Sequence, residues 1–403
     1  MTKSKSILLT LRPVDYYFFG GENTFDSDPI RRNYLVRSNK LPQQTGLLGL
    51  IRHVLFQEGM SIGDASFSPA QTVTNFGDLE QLSPLFMQWQ HAGKRQFFYP
   101  AARLHLDTKQ ELKVDLSASQ GQGLNFLGGD WENLPHLSFN KQEDEQEVET
   151  TYSEKEYLNE VWVSADGTAL KIPAAVPADK LSELHKTPKP EHGIFYSNFQ
   201  IGIDKASRMK PDATAGSDEN GFYKQEFYRL APGFSFAVKV DFKGEIDPAI
   251  FKRSMPFGGE NRCFIMEAEP WTAALDAQLK PAQAYPYTDG RVVLFSDAFI
   301  TSSDWKKIIK LCYFTATQAI PFRNLQLATK AYENQSAAAR RRIFANLQSA
   351  RNSTLLYLLE RGSVLFPKAG EQANLLKLLE AATHFQAIGY NHIYPSTTKS
   401  ETI

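Results

Sequence analysis

The fold is decided near the start of the chain by the run Ile7-Leu8-Leu9-Thr10-Leu11. Almost every side chain in this run is apolar, which predicts a strand that is buried on both faces. A loop that contains glycines follows, and apolar side chains then recur at helical spacing from Leu47 to Phe56. Thr45 is the predicted N-cap of this helix, because its hydroxyl can accept a bond from a free main-chain N–H. The chain therefore opens with a buried strand, a loop and an amphipathic helix.

The composition is that of a globular protein. The chain has 403 residues, of which 42% are hydrophobic and 22% are charged, so a disordered chain and a collagen-like fibre are excluded. The length predicts two or three domains. Lys and Arg total 44 and Asp and Glu total 45, which gives a net charge of -1. This balance argues against nucleic-acid binding by bulk charge, but it leaves room for a local basic groove.

Cysteine content and hydropathy indicate the compartment. The two cysteines, Cys263 and Cys312, cannot build a disulfide framework or a paired-cysteine zinc site, which fits a reducing cytoplasm. The polar start, Met1 to Ser6, is not followed by an apolar stretch of signal-peptide length. No run of about 18 apolar residues occurs, so no membrane contact is predicted and the expected location is the cytoplasm.

A Pro- and Lys-rich stretch divides the sequence. Residues 174–190 have the composition of a linker, which predicts an N-terminal domain over residues 1–190 and a C-terminal domain over residues 191–403. In the second half, residues 222–230 and 233–242 are predicted to be two adjacent strands. The acidic stretch at residues 141–156 is interpreted as a solvated segment, and the sequence does not say whether it contacts a partner.

One five-residue sequence occurs twice. Phe19-Gly20-Gly21-Glu22-Asn23 recurs as Phe257-Gly258-Gly259-Glu260-Asn261 in the second half. Both copies are predicted to be turns. Two adjacent glycines allow positive φ angles and the close approach of another backbone.

No enzyme motif stands out. The chain contains no phosphate-binding GxxxxGK[ST] loop, no HExxH pair and no GxSxG nucleophile elbow. The eight histidines lack metal-ligand spacing, so neither a metal nor a cofactor is predicted. His53 on the predicted helix and His192 near the linker are the candidate general bases if the chain is a ribonuclease.

Basic clusters favour nucleic-acid binding. Lys and Arg side chains neutralise phosphates, and aromatic faces stack on unpaired bases at ~1–3 kcal/mol each. Glycine turns add main-chain N–H groups that can reach a phosphate. Three stretches are basic, and two of them include an aromatic side chain: Arg31, Arg32 and Arg37 with Tyr34; Lys205, Arg208 and Lys210; and Arg253 and Arg262 around Phe257.

A family resemblance runs through the chain. The opening, Leu11 to Phe19, resembles that of subunit three of the Cmr complex, the type III-B CRISPR RNA-guided effector, whose members are RAMP proteins. Gly20 and Gly21 stand where that family has a charged pair before its glycine. Further segments resemble the family in the same order: residues 42–52, residues 201–204, residues 221–226, the glycine-rich loop at residues 257–262, residues 361–366 and residues 389–391.

The resemblance implies an α+β fold of two tandem ferredoxin-like (RRM-like, RAMP) domains with inserted loops. It implies a non-catalytic subunit that binds the repeat-derived 5′ handle of the CRISPR RNA in antiviral defence. The large polymerase-like subunit and the backbone RAMP subunit are the implied protein partners. The predicted RNA-binding residues are Gly20, Gly21, Arg31, Arg37, Thr45, Gly46, Arg52, Lys205, Arg208, Lys210, Phe257, Gly258, Gly259, Asn261 and Arg262.

Two other functions stay open. A RAMP endoribonuclease that processes CRISPR RNA precursors would need a general base such as His53 or His192. A scaffold that touches only protein would use its aromatic side chains as interface anchors.

Overall fold

The protein is an α+β molecule built mainly from antiparallel strands. The computed structural model describes residues 3–24, 35–63, 75–102, 105–107, 110–114, 137–139, 161–164, 169–171, 194–203, 222–279, 291–300, 308–313, 320–322, 325–326, 351–352 and 356–394. The helices are α1 (Gln44–Gln57), α2 (Ala273–Leu279), α3 (Gln372–Glu380) and α4 (Thr383–Gln386), with a 3-10 helix at Pro248–Phe251. Among the described residues no helix combines the length and apolar composition needed to cross a membrane.

The strands fall into one large sheet and several small ones. In chain order they are β1 (Ser4–Pro13), β2 (Phe19–Thr24), β3 (Leu35–Asn39), β4 (Leu79–Leu82), β5 (Phe86–His91), β6 (Lys94–Pro100), β7 (His105–Asp107), β8 (Gln110–Val114), β9 (Leu137–Phe139), β10 (Val161–Ser164), β11 (Ala169–Lys171), β12 (Phe195–Ile203), β13 (Phe222–Leu230), β14 (Phe234–Ile246), β15 (Arg253–Pro256), β16 (Cys263–Pro270), β17 (Val292–Val293), β18 (Ile309–Tyr313), β19 (Ile320–Phe322), β20 (Leu325–Gln326), β21 (Arg351–Asn352), β22 (Leu356–Leu358) and β23 (Val364–Pro367).

Strand β1 lies in the middle of the large sheet. The strand order is β11-β10-β6-β5-β14-β1-β16-β15, and β4 also pairs with β14. Leu9 lies opposite Val238 on one side and Ala268 on the other. Residues Ile7 to Leu9 are fully buried, which confirms the predicted burial of both faces. The side chains of one face belong to the same core cluster as Ile51 and Val54 of α1. Leu8, on the other face, belongs to a cluster with α2 and the C-terminal strand β23.

Helix α1 begins without the predicted cap. The residue before the helix is Gln43, which makes no side-chain cap bond, so the N-cap prediction for Thr45 is wrong. Tertiary contacts hold this end of the helix instead. Gln44 Nε2 donates to the main-chain oxygen of Ser83 at 2.8 Å, and the Thr45 N–H donates to Tyr390 Oη at 3.4 Å.

A second sheet of four strands has the order β12-β13-β3-β2. The first copy of the repeated five residues lies in β2 and is not a turn. Gly20 pairs with Ser38 and Asn23 with Val36. Between these pairs β2 contains one more residue than β3, which is a β-bulge. Strand β13 pairs with β12 and β3, whereas β14 belongs to the large sheet. The predicted adjacency of these two strands is therefore wrong.

Strand pairing crosses the predicted domain boundary. Strand β1 comes from the first predicted domain, yet its neighbours β14 and β16 come from the second. Residues 172–193, around the boundary, lie outside the described residues. The division at residue 190 stays a prediction, but the two halves share one sheet.

The C-terminal part contains a sheet of order β17-β23-β18, packed with α3. A buried ion pair fixes it: Arg361 Nε and Nη2 donate to the two carboxylate oxygens of Asp297 at 3.0 and 2.7 Å. The Arg361 N–H adds a third bond to Asp297 Oδ1 at 2.9 Å. Since both carboxylate oxygens are engaged, the buried charges compensate each other.

Candidate nucleic-acid interface

The second copy of the repeated residues is a turn, as predicted, and it joins β15 to β16. The Phe257 N–H donates to the Arg262 oxygen at 2.9 Å, and the Gly259 N–H donates to the Phe18 oxygen at 2.8 Å. Gly258 has a φ angle of 82°. A Cβ there would lie 2.5 Å from the Phe18 oxygen, and a Cβ on Gly259 would lie 2.7 Å from Phe18 Cδ1. The two glycines therefore let the turn dock on the N-terminal segment.

Contacts within the protein occupy part of the docked turn. The Cβ sides of Gly258 and Gly259 face Phe18 and Phe19, and the Gly259 N–H is already bonded. Glu260 and Asn261 are exposed and have φ angles of 58° and 49°. An RNA contact by the two glycines stays a prediction, and the outer side of the turn is the part open to a ligand.

The docked turn places Arg262 over an aromatic ring. The Arg262 guanidinium carbon lies 4.6 Å from the centroid of the Phe227 ring. Phe227 is buried and also packs on Phe18, with ring centroids 5.6 Å apart. Gln200 Oε1 accepts from Arg262 Nη2 at 3.5 Å, and Arg262 Nε is buried with no hydrogen-bond partner among the described residues. The ring thus supports one face of the half-buried guanidinium, and Gln200 is its hydrogen-bond acceptor among the described residues.

A second cation lies on the same side of β13. Phe227 and Arg229 are two residues apart, so they share a face of the strand. The Arg229 guanidinium carbon is 5.9 Å from the Tyr16 ring centroid, and its Nη1 is 3.9 Å from Asp15 Oδ1. We call Tyr16, Phe18, Phe227, Arg229 and Arg262 the aromatic-basic ribbon. The half-buried rings of Tyr16 and Phe18 and the guanidinium groups of Arg229 and Arg262 suit unpaired bases and phosphates, because rings and guanidinium planes both stack on bases, while buried Phe227 supports Arg262 from beneath.

Phe257 points into the core. It is 9% exposed, and its ring centroid is 5.3 Å from Phe19 and 5.4 Å from Phe264. Its ring also lies 3.6 Å from the position that a Cβ on Gly46 would take. Phe257 thereby joins the turn to the start of α1, and an RNA contact by its ring stays a prediction.

The start of α1 offers few free donors. The Thr45 N–H faces Tyr390, and the N–H groups of Gly46 and Leu47 donate to the Gln43 oxygen at 2.9 and 3.1 Å. Burial raises the pKa of Tyr390, so its hydroxyl stays neutral. Because these amides have internal acceptors, phosphate binding here would have to displace them. RNA contacts by Thr45 and Gly46 stay predictions.

His53 belongs to a polar chain on α1. Its Nε2 lies 2.9 Å from Gln57 Nε2, and Arg253 donates to Gln57 Oε1 at 3.0 Å and to Glu58 Oε1 at 2.6 Å. Burial, together with the charge of Arg253, lowers the pKa of His53 below its ordinary value. The neutral ring has its Nε2 engaged with Gln57, which supports a structural role. Arg52 is half-buried on the same helix.

Comparison with known proteins gives the family. The sequence profile of the family described as "CRISPR-associated protein (Cas_Cmr3)" matches residues 9–397. This chain belongs to the Cas_Cmr3 family. The resemblance to subunit three of the Cmr complex, seen in the sequence, is thereby confirmed. A comparison with curated proteins finds no match.

Two solved structures contain chains that are similar to this Cas_Cmr3 chain. One is the cryo-EM structure of the Type III-B Cmr-beta bound to cognate target RNA, with 12% identity, a TM-score of 0.44 and 96% of each chain covered. The other is the same assembly bound to cognate target RNA and AMPPnP, with 12% identity, a TM-score of 0.41 and again 96% of each chain covered. Likenesses this distant add nothing to the family assignment.

The remaining predicted residues of this Cas_Cmr3 chain are scattered. Arg37 is exposed on β3, and Gly20 and Gly21 lie at the β2 bulge. Four predicted contacts lie outside the described residues: Arg31, Lys205, Arg208 and Lys210. The strand ends from which their segments leave lie together, since Thr24 pairs with Leu35, Leu35 with Lys224 and Ile203 with Phe222.

The sequence of this Cas_Cmr3 chain predicts Arg262 as an RNA-binding residue, but it does not predict the side chains that contact Arg262. Tyr16, Phe227, Arg229 and Gln200 are not among the predicted residues, and Phe18 lies within the family-like segment Leu11 to Phe19 without a predicted role. Residues two apart on β13 share a face, so the alternation in this strand could have predicted that Phe227 and Arg229 lie side by side. The pairing of Phe227 with Arg262 could not be read from the sequence, because it depends on where the turn docks.

Proposed function

We propose that this chain is a non-catalytic RNA-binding subunit of a type III-B CRISPR effector. It binds the 5′ repeat-derived handle of the CRISPR RNA, and its protein neighbours are the large polymerase-like subunit and the backbone RAMP subunit. The observation that carries the proposal is the Arg262 guanidinium held 4.6 Å above Phe227 by the docked glycine turn. A handle that is single-stranded would be held there by stacking and phosphate contacts.

The architecture supports the ferredoxin-like part of the proposal. The order β16-β1-β14-β5 is antiparallel throughout, and α1 follows β1 in the chain. This is the strand arrangement of a split βαβ unit. Between β14 and β16 the described chain has a 3-10 helix and β15 in place of a second long helix. Two tandem ferredoxin-like domains remain part of the proposal.

Equilibrium binding to handle RNA tests the RNA-binding role. We expect Arg262→Gln to weaken the affinity about tenfold and to lower the slope of log K against log salt by about 0.7, because one phosphate contact of a single strand is lost. Lys252→Gln is the matched control, since Lys252 is exposed and lies outside the ribbon. Equal affinities and slopes for the two variants would refute the role of the ribbon.

The absence of catalysis is tested with the same protein. We expect purified chain to leave CRISPR repeat RNA intact, because His53 Nε2 is engaged by Gln57, which in turn accepts a hydrogen bond from Arg253. A specific cut that is lost in His53→Ala or His192→Ala would establish the endoribonuclease function instead.

A further inference from the structure

Strand β12 is an open edge of the four-stranded sheet. It is the terminal strand in the order β12-β13-β3-β2, so among the described strands nothing pairs with its outer side. A free edge presents a row of main-chain N–H and C=O groups to any extended chain that approaches. Phe199, Gln200 and Ile201, in its distal half, are all exposed.

The other edges of the two larger sheets carry protection that β12 lacks. Proline ends β15, a bulge interrupts β2, and β11 has only three residues and ends in Lys171. These are the devices by which proteins prevent strands from pairing edge to edge. By contrast, β12 has nine residues and contains neither a charged residue nor a proline.

Exposed apolar side chains mark the same place. Ile201 is 78% exposed and Phe199 is 46% exposed. They are two residues apart on β12, so they share one face of the sheet. An exposed apolar pair on an open edge is expected to be covered in the working assembly, because it would otherwise promote aggregation.

Lys224 adds a charge requirement. It lies opposite Ile201 on β13, and its Nζ is 4.2 Å from the centroid of the Phe199 ring. Among the described residues no carboxylate lies within ion-pair distance of this amine. Glu226, opposite Phe199, instead accepts from the Tyr228 hydroxyl at 3.2 Å. Because Lys224 is exposed, a group that covers Phe199 and Ile201 would also bury this amine, and a negative charge on that group would compensate it.

We propose that β12 is a docking edge for an extended segment of another protein subunit. The segment adds as a fifth strand beside β12, with apolar side chains against Phe199 and Ile201 and an acidic side chain near Lys224. RNA would supply negative charge but would leave Ile201 uncovered. A second copy of this chain, pairing through β12, would place no acidic side chain in the added strand, since β12 has none. The proposal does not rest on RNA binding.

Site-specific photocrosslinking tests the edge in the assembled complex. The full chain, with p-benzoyl-L-phenylalanine in place of Ile201, is co-expressed with the other effector subunits and guide RNA, purified and irradiated. We expect the crosslink to join this chain to a different protein subunit, and peptide mapping to place it in an extended segment with an acidic residue. A crosslink to RNA, to a second copy or within the chain, or no crosslink at all, would overturn the proposal.

Variants give an independent measure. We expect Ile201→Lys and Lys224→Glu each to lower the amount of the crosslinked subunit retained by tagged chain at least about tenfold, because both sit at the centre of the contact. Val14→Lys is the matched control, since Val14 is 56% exposed but lies outside β12. Circular dichroism confirms that each variant is folded. Retention equal to that of Val14→Lys would overturn the docking proposal. That outcome would not bear on the RNA-binding role, which is tested separately by the RNA affinity of Arg262→Gln.

Discussion

The repeated five residues provide a controlled test of why the turn needs glycine. Gly20 and Gly258 are the first glycines of two identical pentapeptides, yet their surroundings differ. Nothing lies within 4 Å of a Cβ built on Gly20, whereas a Cβ on Gly258 lies 2.5 Å from the Phe18 oxygen. Gly258 also has a positive φ of 82°. The same substitution, glycine to alanine, therefore probes an open site and a closed one.

The expected cost at Gly258 follows from three contributions. Alanine in the left-handed region costs roughly 1–2 kcal/mol. The contact with Phe18 pushes the turn away and weakens the 2.8 Å bond from the Gly259 N–H, for about 1 kcal/mol. Alanine also restricts the unfolded chain, which offsets about 0.4–1 kcal/mol of the loss in stability. We expect Gly258→Ala to lower the free energy of unfolding by about 2 kcal/mol. Gly20→Ala keeps only the unfolded-chain contribution and should raise it by up to about 1 kcal/mol.

Urea unfolding of the full chain measures both variants. We expect the midpoint of Gly258→Ala to fall with an unchanged m value, because the same surface is exposed on unfolding. Handle affinity should fall as well, since Arg262 moves with the turn. If Gly258→Ala and Gly20→Ala were equally stable, the close approach to Phe18 would not be what the glycine provides.

Three further outcomes are expected. Asp297→Asn should lower the free energy of unfolding by about 3–5 kcal/mol, because it leaves buried Arg361 uncompensated, and Arg361→Met in the same chain should recover part of that loss in urea titrations. The folded pKa values of His53 and His392 are lowered by burial, so below pH ~6.5 the unfolded chain binds protons that the folded chain does not. Stability should therefore fall from pH 7.5 to 5.5, and less steeply in His53→Gln, whereas an equal fall in both proteins would contradict this assignment. Gly49→Ala should raise the thermal midpoint by an amount equivalent to about 0.5–1 kcal/mol, because Gly49 lies within α1 with open space around it, and no rise would show a contact that the structure lacks.

Local pattern was enough to predict the elements with strong periodicity. Strand β1 and helix α1 appear where the apolar spacing places them, and β13 has the predicted bounds. The two pentapeptides show where local pattern fails. The Phe19 N–H donates to Ser38 Oγ at 2.8 Å, which fixes the first copy in a strand, while Phe18 receives the second copy as a turn. Identical residues adopt different structures because their partners lie elsewhere in the chain.

The candidate site was likewise predictable only in part. The charge of Arg262 and the glycines beside it could be recognised in the sequence. The ring beneath Arg262 could not, because Phe227 lies on β13 and Arg262 reaches it only through the docked turn between β15 and β16. Helix α1 was predicted correctly, but Thr45 was misassigned because Tyr390, near the other end of the chain, meets its N–H.

The position of β1 has a consequence for synthesis. It is made first, yet both strands that flank it lie beyond residue 233, so more than half of the polypeptide must leave the ribosome before its backbone finds partners. Contacts this distant in sequence slow folding and prolong the time during which the mostly apolar run Ile7 to Leu11 is exposed. Nascent chain carrying Ile7 to Leu11 is thus a natural client for chaperones, and truncations that end before β16 should be insoluble.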